Sequence, residues 1–232
     1  MKEQHYFYTP EPGSMQLPPD EAAHAVRVLR LELGDEIFLI DGCGTFYRAS
    51  IDAVTKKSCS YNIVETMPQT PSWNGHLHLA MGPTKNLDRT EWLAEKATEV
   101  GIDELTFINC QWSERRVVKT ERIQRILVAA MKQSRKPWLP KLNELTDFQA
   151  FINRDFQGQK FICHCHADNL PLLSERLCPD SDVLVMIGPE GDFSPDEVHA
   201  AESAGFISVS LGHSRLRTET AALVATVMMQ NR

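Results

Sequence analysis

The pattern of apolar and polar residues predicts a chain that alternates β-strands and α-helices. The run 183–187, Val-Leu-Val-Met-Ile, is apolar throughout and contains β-branched residues, which is typical of a central parallel strand buried on both faces. A glycine turn follows, and a helix is expected to begin with Ser194 as N-cap, Pro195 at the first helical position and Glu197 as the capping-box partner. This stretch therefore predicts a strand, a tight loop and a helix in immediate succession.

The same succession is predicted again about twenty residues later. Residues 206–211 have the pattern of a short strand, Gly212 opens a loop, and 218–229 form a mostly apolar helix. We expect the two corners to lie side by side at the carboxyl edge of one parallel sheet, where open α/β sheets bind ligands. Glycine-bearing loops at such an edge offer backbone N–H and C=O groups to a small ligand, although ordinary turns between strands and helices would give the same pattern.

The first part of the chain is predicted to be a small β-rich domain. It combines a short helical stretch with three strands, of which the first two form a hairpin. These elements are predicted at 24–30, 36–41, 45–52 and 58–65. Residues 67–72 are proline-rich and polar, which is typical of a linker, so we predict two domains, 1–70 and 71–232.

The second predicted domain begins with strands and a crossover helix. Residues 76–81 predict a strand, and 89–100 predict a helix with an apolar stripe beside a charged one. Gly101 ends this helix, and 105–108 is expected to be the next parallel strand.

Composition narrows the class of protein. No apolar run in the 232 residues reaches the length of a membrane span, and the N-terminus lacks a signal-peptide core, so we expect a soluble cytoplasmic protein with no membrane partner. Six cysteines at irregular spacing are expected to be free thiols. The net charge of −7 argues against a general nucleic-acid binder, and DNA is not expected as a partner.

Positive charge is nevertheless concentrated in the 22-residue segment 115–136. It carries eight Lys and Arg residues against one acid, about +7, which leaves the rest of the chain at about −14. Such a distribution on an acidic protein would focus positive potential on one patch, as phosphate binding needs. A solvated helix face is the alternative explanation.

Residues 161–166, Phe-Ile-Cys-His-Cys-His, raise the question of a metal site. In a strand the two cysteines, Cys163 and Cys165, point to one face and the two histidines, His164 and His166, to the other. The four side chains therefore cannot close around one ion, and we expect no metal here.

Two C-terminal motifs closely resemble one bacterial family. GPEGDFSP at 188–195 and LGHSRLRTETA at 211–221 resemble the 16S ribosomal RNA uridine N3-methyltransferases of the RsmE type, in the SPOUT superfamily. KATEVGI at 96–102 and HAVRVLR at 24–30 resemble the same family. The resemblance implies an α/β fold in which a small β-rich PUA-like RNA-binding domain precedes a SPOUT-type methyltransferase domain, with a parallel sheet and a deep trefoil knot. It also implies S-adenosylmethionine as cofactor, and 16S ribosomal RNA or the 30S subunit as partner.

The resemblance further implies roles for particular residues. The cofactor is expected to lie against Gly188, Pro189, Glu190, Gly191, Leu211, Gly212, Ser214, Leu216, Arg217 and Thr218. RNA contacts are expected from the resemblance at His24, Arg27, Arg30 and Arg135, although the first three also fit a solvated helix face, and from the basic segment at Arg115 and Arg116. Catalytic roles are expected for Arg217 and Glu219.

Methylation at uridine N3 requires removal of a weakly acidic proton, followed by in-line attack on the sulfonium methyl. The site must position the base and stabilise the developing uracil anion, and a general base would assist. Arg217 is suited to a phosphate or the uracil anion. Glu219 either accepts the proton or caps the helix that begins nearby, and Glu190 is either catalytic or a brace between loops.

The chain departs from the family pattern at three places. Asp192 stands where many relatives have glycine, 213–215 replaces a common Pro-Arg-Ile/Val, and His5-Tyr6 stands where an arginine often precedes the aromatic pair. Two other functions are considered: 2′-O-ribose methylation, as in another SPOUT branch, and a non-catalytic RNA-binding scaffold. Residues 217–221 do not match the Ser-Leu-Asn that is typical of the last motif in the 2′-O branch, and the intact GPEG and LRTETA motifs argue against the scaffold.

The predicted helix 218–229 is apolar around nearly its whole circumference. The sheet of its own domain can cover one side, so a second copy of the chain is expected to cover another, as the family resemblance also implies. A homodimer is therefore expected, and burial within a larger single-chain core is the alternative.

Overall fold

The computed structural model describes residues 4–167 and 169–232. The chain forms two compact units, one made of the residues up to Ser72 together with Val128–Leu139, the other of Trp73–Leu127 together with Pro140–Arg232. Sequence analysis places the domain boundary within three residues of this division but does not anticipate that 128–139 belongs to the first unit.

The first unit is built on a four-stranded sheet in the order β1-β2-β3-β4, within the described part of the chain. Strands β2 and β3 form the expected antiparallel hairpin, and β1 runs parallel to β2. The helical stretch is a short α-helix continued by a π-helical turn. The elements are β1 (Tyr6–Tyr8), a 3-10 turn (Pro12–Ser14), α1 (Pro19–Ala23), the π-turn (His24–Val28), β2 (Glu36–Ile40), β3 (Thr45–Val54) and β4 (Cys59–Pro68).

The second unit contains a parallel six-stranded sheet among the described residues, in the order β10-β8-β9-β5-β6-β7. Its strands are β5 (Leu77–Met81), β6 (Glu104–Asn109), β7 (Lys141–Asp147), β8 (Gln159–Cys163), β9 (Val183–Ile187) and β10 (Ile207–Val209). Its helices are α2 (Leu87–Val100), α3 (Thr120–Gln133), α4 (Phe148–Ile152), α5 (Leu173–Arg176), α6 (Pro195–Ser203) and α7 (Thr218–Gln230). The later part of α3, from Val128, belongs to the first unit.

Strand β9 confirms the prediction made from its apolar run. All five of its residues are buried, and it pairs in parallel with β5 on one side and β8 on the other. The capping box at the start of α6 is also confirmed. The Ser194 hydroxyl accepts from the Glu197 N–H at 3.2 Å, and the Glu197 carboxylate accepts from the Ser194 N–H at 2.8 Å.

The prediction that the two loop corners are direct neighbours is wrong in one respect. Strand β10 pairs with β8, so β8 lies between β9 and β10. A short strand with an exposed Ile207 fits the sheet edge, whereas the fully buried β9 needs a strand on each side. Both corners still open at the same carboxyl edge.

Among the helices in the described part of the chain, none is both long and apolar enough to cross a bilayer. The six cysteines, all of them described, are free thiols.

A buried histidine lies on the sheet of the second unit. His78 Nε2 and the Thr106 hydroxyl are 2.7 Å apart, and the imidazole packs edge-on against Phe151. Burial lowers the pKa of His78 from 6.5 to about 4, an effect that the Glu104 carboxylate opposes. Burial by itself would raise the pKa of Glu104, but hydrogen bonds, led by that from Asn143, and the charge of His78 lower it to about 2.

We expect the free energy of unfolding to fall by roughly 3 kcal/mol between pH 6.5 and pH 4 because of His78. The unfolded chain binds a proton at this histidine below its ordinary pKa, while the folded chain binds it only as the pH falls through about 4. His78→Gln keeps an acceptor for the Thr106 hydroxyl and should remove this part of the pH dependence, whereas the exposed His199→Gln should keep it. Urea titrations at several pH values measure the free energy of unfolding of each variant. The same dependence of this free energy on pH in wild type and His78→Gln would contradict the expectation.

Candidate active site

The loop after β9, residues 188–194, turns tightly at the carboxyl edge of the sheet. A Cβ atom at Gly188 would lie 3.0 Å from the backbone nitrogen of Phe193, so a side chain would crowd this turn. A Cβ atom at Gly82, after β5, would lie 2.7 Å from the backbone nitrogen of Pro189. The loops that follow β5 and β9 therefore touch at Gly82 and Pro189, and glycine is required at position 82 for this contact.

Glu190 holds two loops together. Its Oε1 accepts a hydrogen bond from the backbone N–H of Lys85 at 2.9 Å. Lys85 is in turn fixed by an ion pair with Glu114 at 2.7 Å and by the Arg115 guanidinium, which donates to its carbonyl at 2.9 Å. This geometry favours the bracing role for Glu190 over a catalytic one.

Asp192, the departure from glycine, braces a further loop. Its φ is +66°, the left-handed region in which glycine is common. Its Oδ2 accepts from the backbone N–H of Cys165 at 2.9 Å and its Oδ1 from that of Phe193 at 2.8 Å. The carboxylate thus ties the loop after β8 to the loop after β9, which glycine could not do.

Two histidines after β8 are fixed by hydrogen bonds. His164 Nδ1 accepts from the His166 backbone N–H at 3.2 Å, so its Nε2 carries the proton and donates to the Ser208 hydroxyl at 2.9 Å. Ser208 donates to Glu202 at 2.6 Å. His166 Nε2 donates to the Phe193 carbonyl at 2.5 Å. Burial lowers the pKa of His164, which favours its neutral form.

The alternation of cysteine and histidine here does not assemble a metal site. The rings of His164 and His166 stack with centroids 5.7 Å apart, while Cys163 is buried and Cys165 exposed. Within the residues that the structure describes, no three His, Cys, Asp or Glu side chains are grouped so as to hold a metal ion.

The loop after β10 lies beside the loop after β8. Ser210 accepts from the Leu173 N–H at 2.9 Å and donates its own N–H to the Pro171 carbonyl at 2.9 Å. Burial and the Asp192 carboxylate raise the pKa of the Cys165 thiol, and the Arg215 guanidinium opposes them across this junction. Three loops, the one after β8 (164–167 and 169–172 of the described residues), 188–194 and 210–217, are therefore joined along one edge.

The loop 210–217 is open to a ligand. Gly212 has a φ of +123° and free space where a Cβ atom would lie. Within the described part of the chain, the backbone N–H groups of 213–217 donate no hydrogen bond, and neither do those of Glu190 and Gly191. Leu211 and Leu216 are half-buried. The edge thus presents free donors next to apolar side chains.

Helix α7 begins directly after this loop with the two candidate catalytic residues. Arg217 occupies the N-cap position, is exposed, and makes no side-chain capping hydrogen bond. Glu219 is 8% exposed, lies 3.7 Å from Arg89 Nε through its Oε1, and has no hydrogen-bond partner for its buried Oε2 among the described residues. A cavity of about 260 Å³ adjoins it, lined by Asp88, Arg89, Trp92, Glu219 and Thr220. The capping interpretation of Glu219 therefore loses support, because the carboxylate borders a cavity and pairs with Arg89.

This edge fits S-adenosylmethionine. The free N–H groups suit the polar edge of adenine and the methionine carboxylate, while Leu211 and Leu216 suit the apolar faces of the nucleoside. Gly188 and Pro189 are buried beneath, Glu190 and Gly191 are exposed at the rim, Ser214 and Arg217 point outward, and Thr218 is buried at the helix start. The residues expected at the cofactor thus lie on two of the three joined loops and at the start of α7.

The residues expected at RNA are divided between the two units. In the first unit His24, Arg27 and Arg30 are exposed, and the exposed Arg135 lies 5.1 Å from the centroid of the Tyr6 ring. In the second unit Arg115 is half-buried against Lys85, and the exposed Arg116 lies 3.5 Å from the carbonyl of Gln111. The basic segment 115–136 is thus not one patch within a single unit.

Sequence reasoning missed four residues that border these loops or the cavity. They are Lys85, Arg89, Trp92 and Trp112. Lys85, Arg89 and Trp92 follow β5, whose carboxyl end lies beside that of β9, and Trp112 comes just before the basic segment. These positions in the sequence could have indicated the four residues.

Comparison with known proteins gives consistent results. The family model described as RNA methyltransferase domain matches residues 71–230, and that described as RNA methyltransferase PUA domain matches 17–63. The crystal structure of a probable rRNA-methyltransferase from Porphyromonas gingivalis is similar to this chain, with 40% sequence identity and a TM-score of 0.92. The match covers 98% of this chain and 98% of that one.

Two further relatives are informative. The ribosomal RNA small subunit methyltransferase E of Neisseria gonorrhoeae, solved bound to S-adenosyl methionine, is 26% identical, with a TM-score of 0.88 over 99% of this chain and 98% of that one. The ribosomal RNA small subunit methyltransferase E of Rickettsia conorii is 27% identical over 223 residues, which are 95% of this chain and 91% of the relative.

Proposed function

We propose that this chain, which belongs to the RNA methyltransferase family, transfers the methyl group of S-adenosylmethionine to N3 of a uridine in small-subunit ribosomal RNA. The observation that carries the proposal is the edge formed by three joined loops, where the N–H groups of Glu190, Gly191 and 213–217 have no acceptor among the described residues. The relatives named ribosomal RNA small subunit methyltransferase E support the choice of RNA, since they match nearly the whole chain. The motifs at 188–195 and 211–221 support the choice of uridine N3.

The cofactor supplies an electrophilic methyl group, and the chain's own residues do the rest. Backbone groups of Glu190, Gly191 and 213–217 bind and orient it. Arg217, exposed at the rim, stabilises negative charge on the uracil or a neighbouring phosphate. Glu219, which borders the cavity, accepts the N3 proton, and Arg89 Nε lies 3.7 Å from its Oε1.

Methyl transfer to isolated small subunits and to free small-subunit RNA tests the proposal. A methyl group on N3 blocks base pairing, so the product should stop reverse transcription at one uridine, whereas a 2′-O-methyl group would protect one linkage from alkali. Large subunits serve as the control substrate. Glu219→Gln, assayed in parallel, should lose transfer while it keeps cofactor affinity. Failure of the wild type to label any ribosomal RNA would reject the enzyme in favour of an RNA-binding scaffold.

We further propose that 1–70 is an RNA-binding domain and 71–232 the methyltransferase domain. The two family matches support this division. The trefoil knot stays a prediction. A cytoplasmic site of action is proposed as well, in keeping with six free thiols. Detection of the protein with an antibody in separated cell fractions would test this location.

The arginines of the basic segment are proposed to contact the RNA backbone. Replacement of Arg115, Arg116 and Arg135 by glutamine should weaken RNA binding and reduce the slope of log affinity against log salt by roughly 2 to 3, about one for each lost phosphate contact. Arg154→Gln with Arg176→Gln removes exposed charge elsewhere in the second unit and is the control. Affinity measured over a range of salt concentrations decides the matter, and an unaltered slope in the triple variant would assign these residues to a solvated surface.

A further inference from the structure

Trp112 is an exposed aromatic residue on a rigid loop. It is 42% exposed, although the backbone around it is firmly held. The Ser113 hydroxyl accepts from the Cys110 N–H at 3.0 Å, and Glu197 Oε1 accepts from the Gln111 N–H at 2.7 Å. The loop therefore holds the indole at a fixed place on the surface, where a ligand can reach it.

Trp112 borders the proposed cofactor edge. A Cβ atom at Gly191 would lie 3.1 Å from the Cβ of Trp112, so the glycine backbone packs against the base of this side chain. The indole meets the His166 ring edge-on, with centroids 6.2 Å apart. His166 is itself fixed by its hydrogen bond to the Phe193 carbonyl. The ring is therefore positioned by groups from two of the three loops.

Positive charge follows Trp112 on the same loop. Arg115 and Arg116 come three and four residues later, and both donate to backbone carbonyls in this unit. An aromatic surface beside guanidinium groups is the arrangement by which proteins hold unpaired RNA, with bases stacked on rings and phosphates held by cations.

We propose that Trp112, supported by His166, is a stacking surface for a nucleobase of the single-stranded RNA that enters the site. The inference rests on the proposed function and adds a positioning residue to it. Trp112 orients the strand next to the cofactor loop and takes no part in the chemistry.

Variants at Trp112 in the full-length chain test this role. Trp112→Leu keeps an apolar side chain but removes the ring, and should raise KM for small subunits by roughly tenfold with a smaller change in kcat. Trp112→Phe keeps a ring and should stay within about twofold of wild type. Val117→Ala, on the same loop, removes exposed apolar surface without touching a ring and should have no effect.

Two further measurements separate stacking from other roles. Calorimetry with S-adenosylhomocysteine should show equal affinity for wild type and Trp112→Leu. Single-stranded RNA oligonucleotides with one abasic site each should bind wild type more weakly when one particular base is missing, and Trp112→Leu should no longer sense that base.

Three outcomes would overturn the inference. They are an unchanged KM in Trp112→Leu, equal impairment of the Leu and Phe variants, and weakened cofactor binding in Trp112→Leu, which would place the ring in the cofactor site. If the wild type transfers no methyl group at all, the proposed function fails, and the abasic series still decides whether Trp112 stacks on a base.

Discussion

Gly212→Val should abolish measurable cofactor binding, with affinity for S-adenosylhomocysteine lowered by roughly 100-fold or more. Gly212 has a φ of +123°, which a β-branched residue does not adopt. Valine must therefore turn the backbone, and the free N–H groups of 213–217 would no longer face the ligand. Steric crowding is not the cause, because no atom in the described part of the chain lies within 4 Å of the position of the added Cβ atom.

The matched control is Gly34→Val. Gly34 has a φ of +87° and equally open surroundings, but it belongs to the first unit. Both variants carry backbone strain of the same kind, so a loss of affinity in Gly212→Val alone would locate the cofactor at the loop after β10. Calorimetry on variants that retain the wild-type circular dichroism spectrum makes the measurement. Normal affinity in a folded Gly212→Val protein would rule out this loop.

Gly191→Val tests the opposite loop by a different mechanism. Its added Cβ atom would lie 3.1 Å from the Cβ of Trp112, so the valine must displace that side chain or the loop. The same calorimetric loss is expected there.

The parts of the fold that were predictable from sequence are those with strong local patterns. Strand β9 was recognisable because each of its residues is buried, and α6 because its capping residues bond to one another as their spacing suggests. The order of the strands was not predictable. Which strand separates β9 from β10 depends on contacts between distant segments, and the sequence of β8 does not encode its neighbours.

The candidate site was predictable to the extent that motifs and glycines mark it. The bracing roles of Glu190 and Asp192 were not, because each depends on a backbone N–H from another loop, at Lys85 and Cys165. The same limit applies to Glu219, whose partner Arg89 comes from α2. Sequence analysis offered the carboxylate two roles, and the partner that distinguishes them is visible only in three dimensions.

Helix α7 has one side buried within its own unit and another that a second chain could cover. One side of the helix packs on α2, β5 and β9 of its own unit and buries Ala222, Ala225, Thr226 and Met229. An arginine at the fully buried Ala225 would disrupt this core whether or not a second chain is present. The opposite side keeps Leu223, Val224 and Met228 half-buried, and Val227 is 41% exposed.

We expect Val227→Asp to convert a homodimer to monomers and to lower methyl transfer by at least about tenfold, because a carboxylate buried in an apolar interface costs several kcal/mol. The two losses should occur together, since the cofactor loop leads directly into α7 and the helix start carries Arg217 and Glu219.

Val64→Asp changes a similarly exposed valine on β4 of the first unit and should leave mass and activity unaltered. Sedimentation equilibrium at micromolar concentration should give the wild type twice the 26.2 kDa chain mass and Val227→Asp the single-chain mass. A wild-type mass near 26.2 kDa would refute the homodimer and leave the exposed side of α7 without a partner chain.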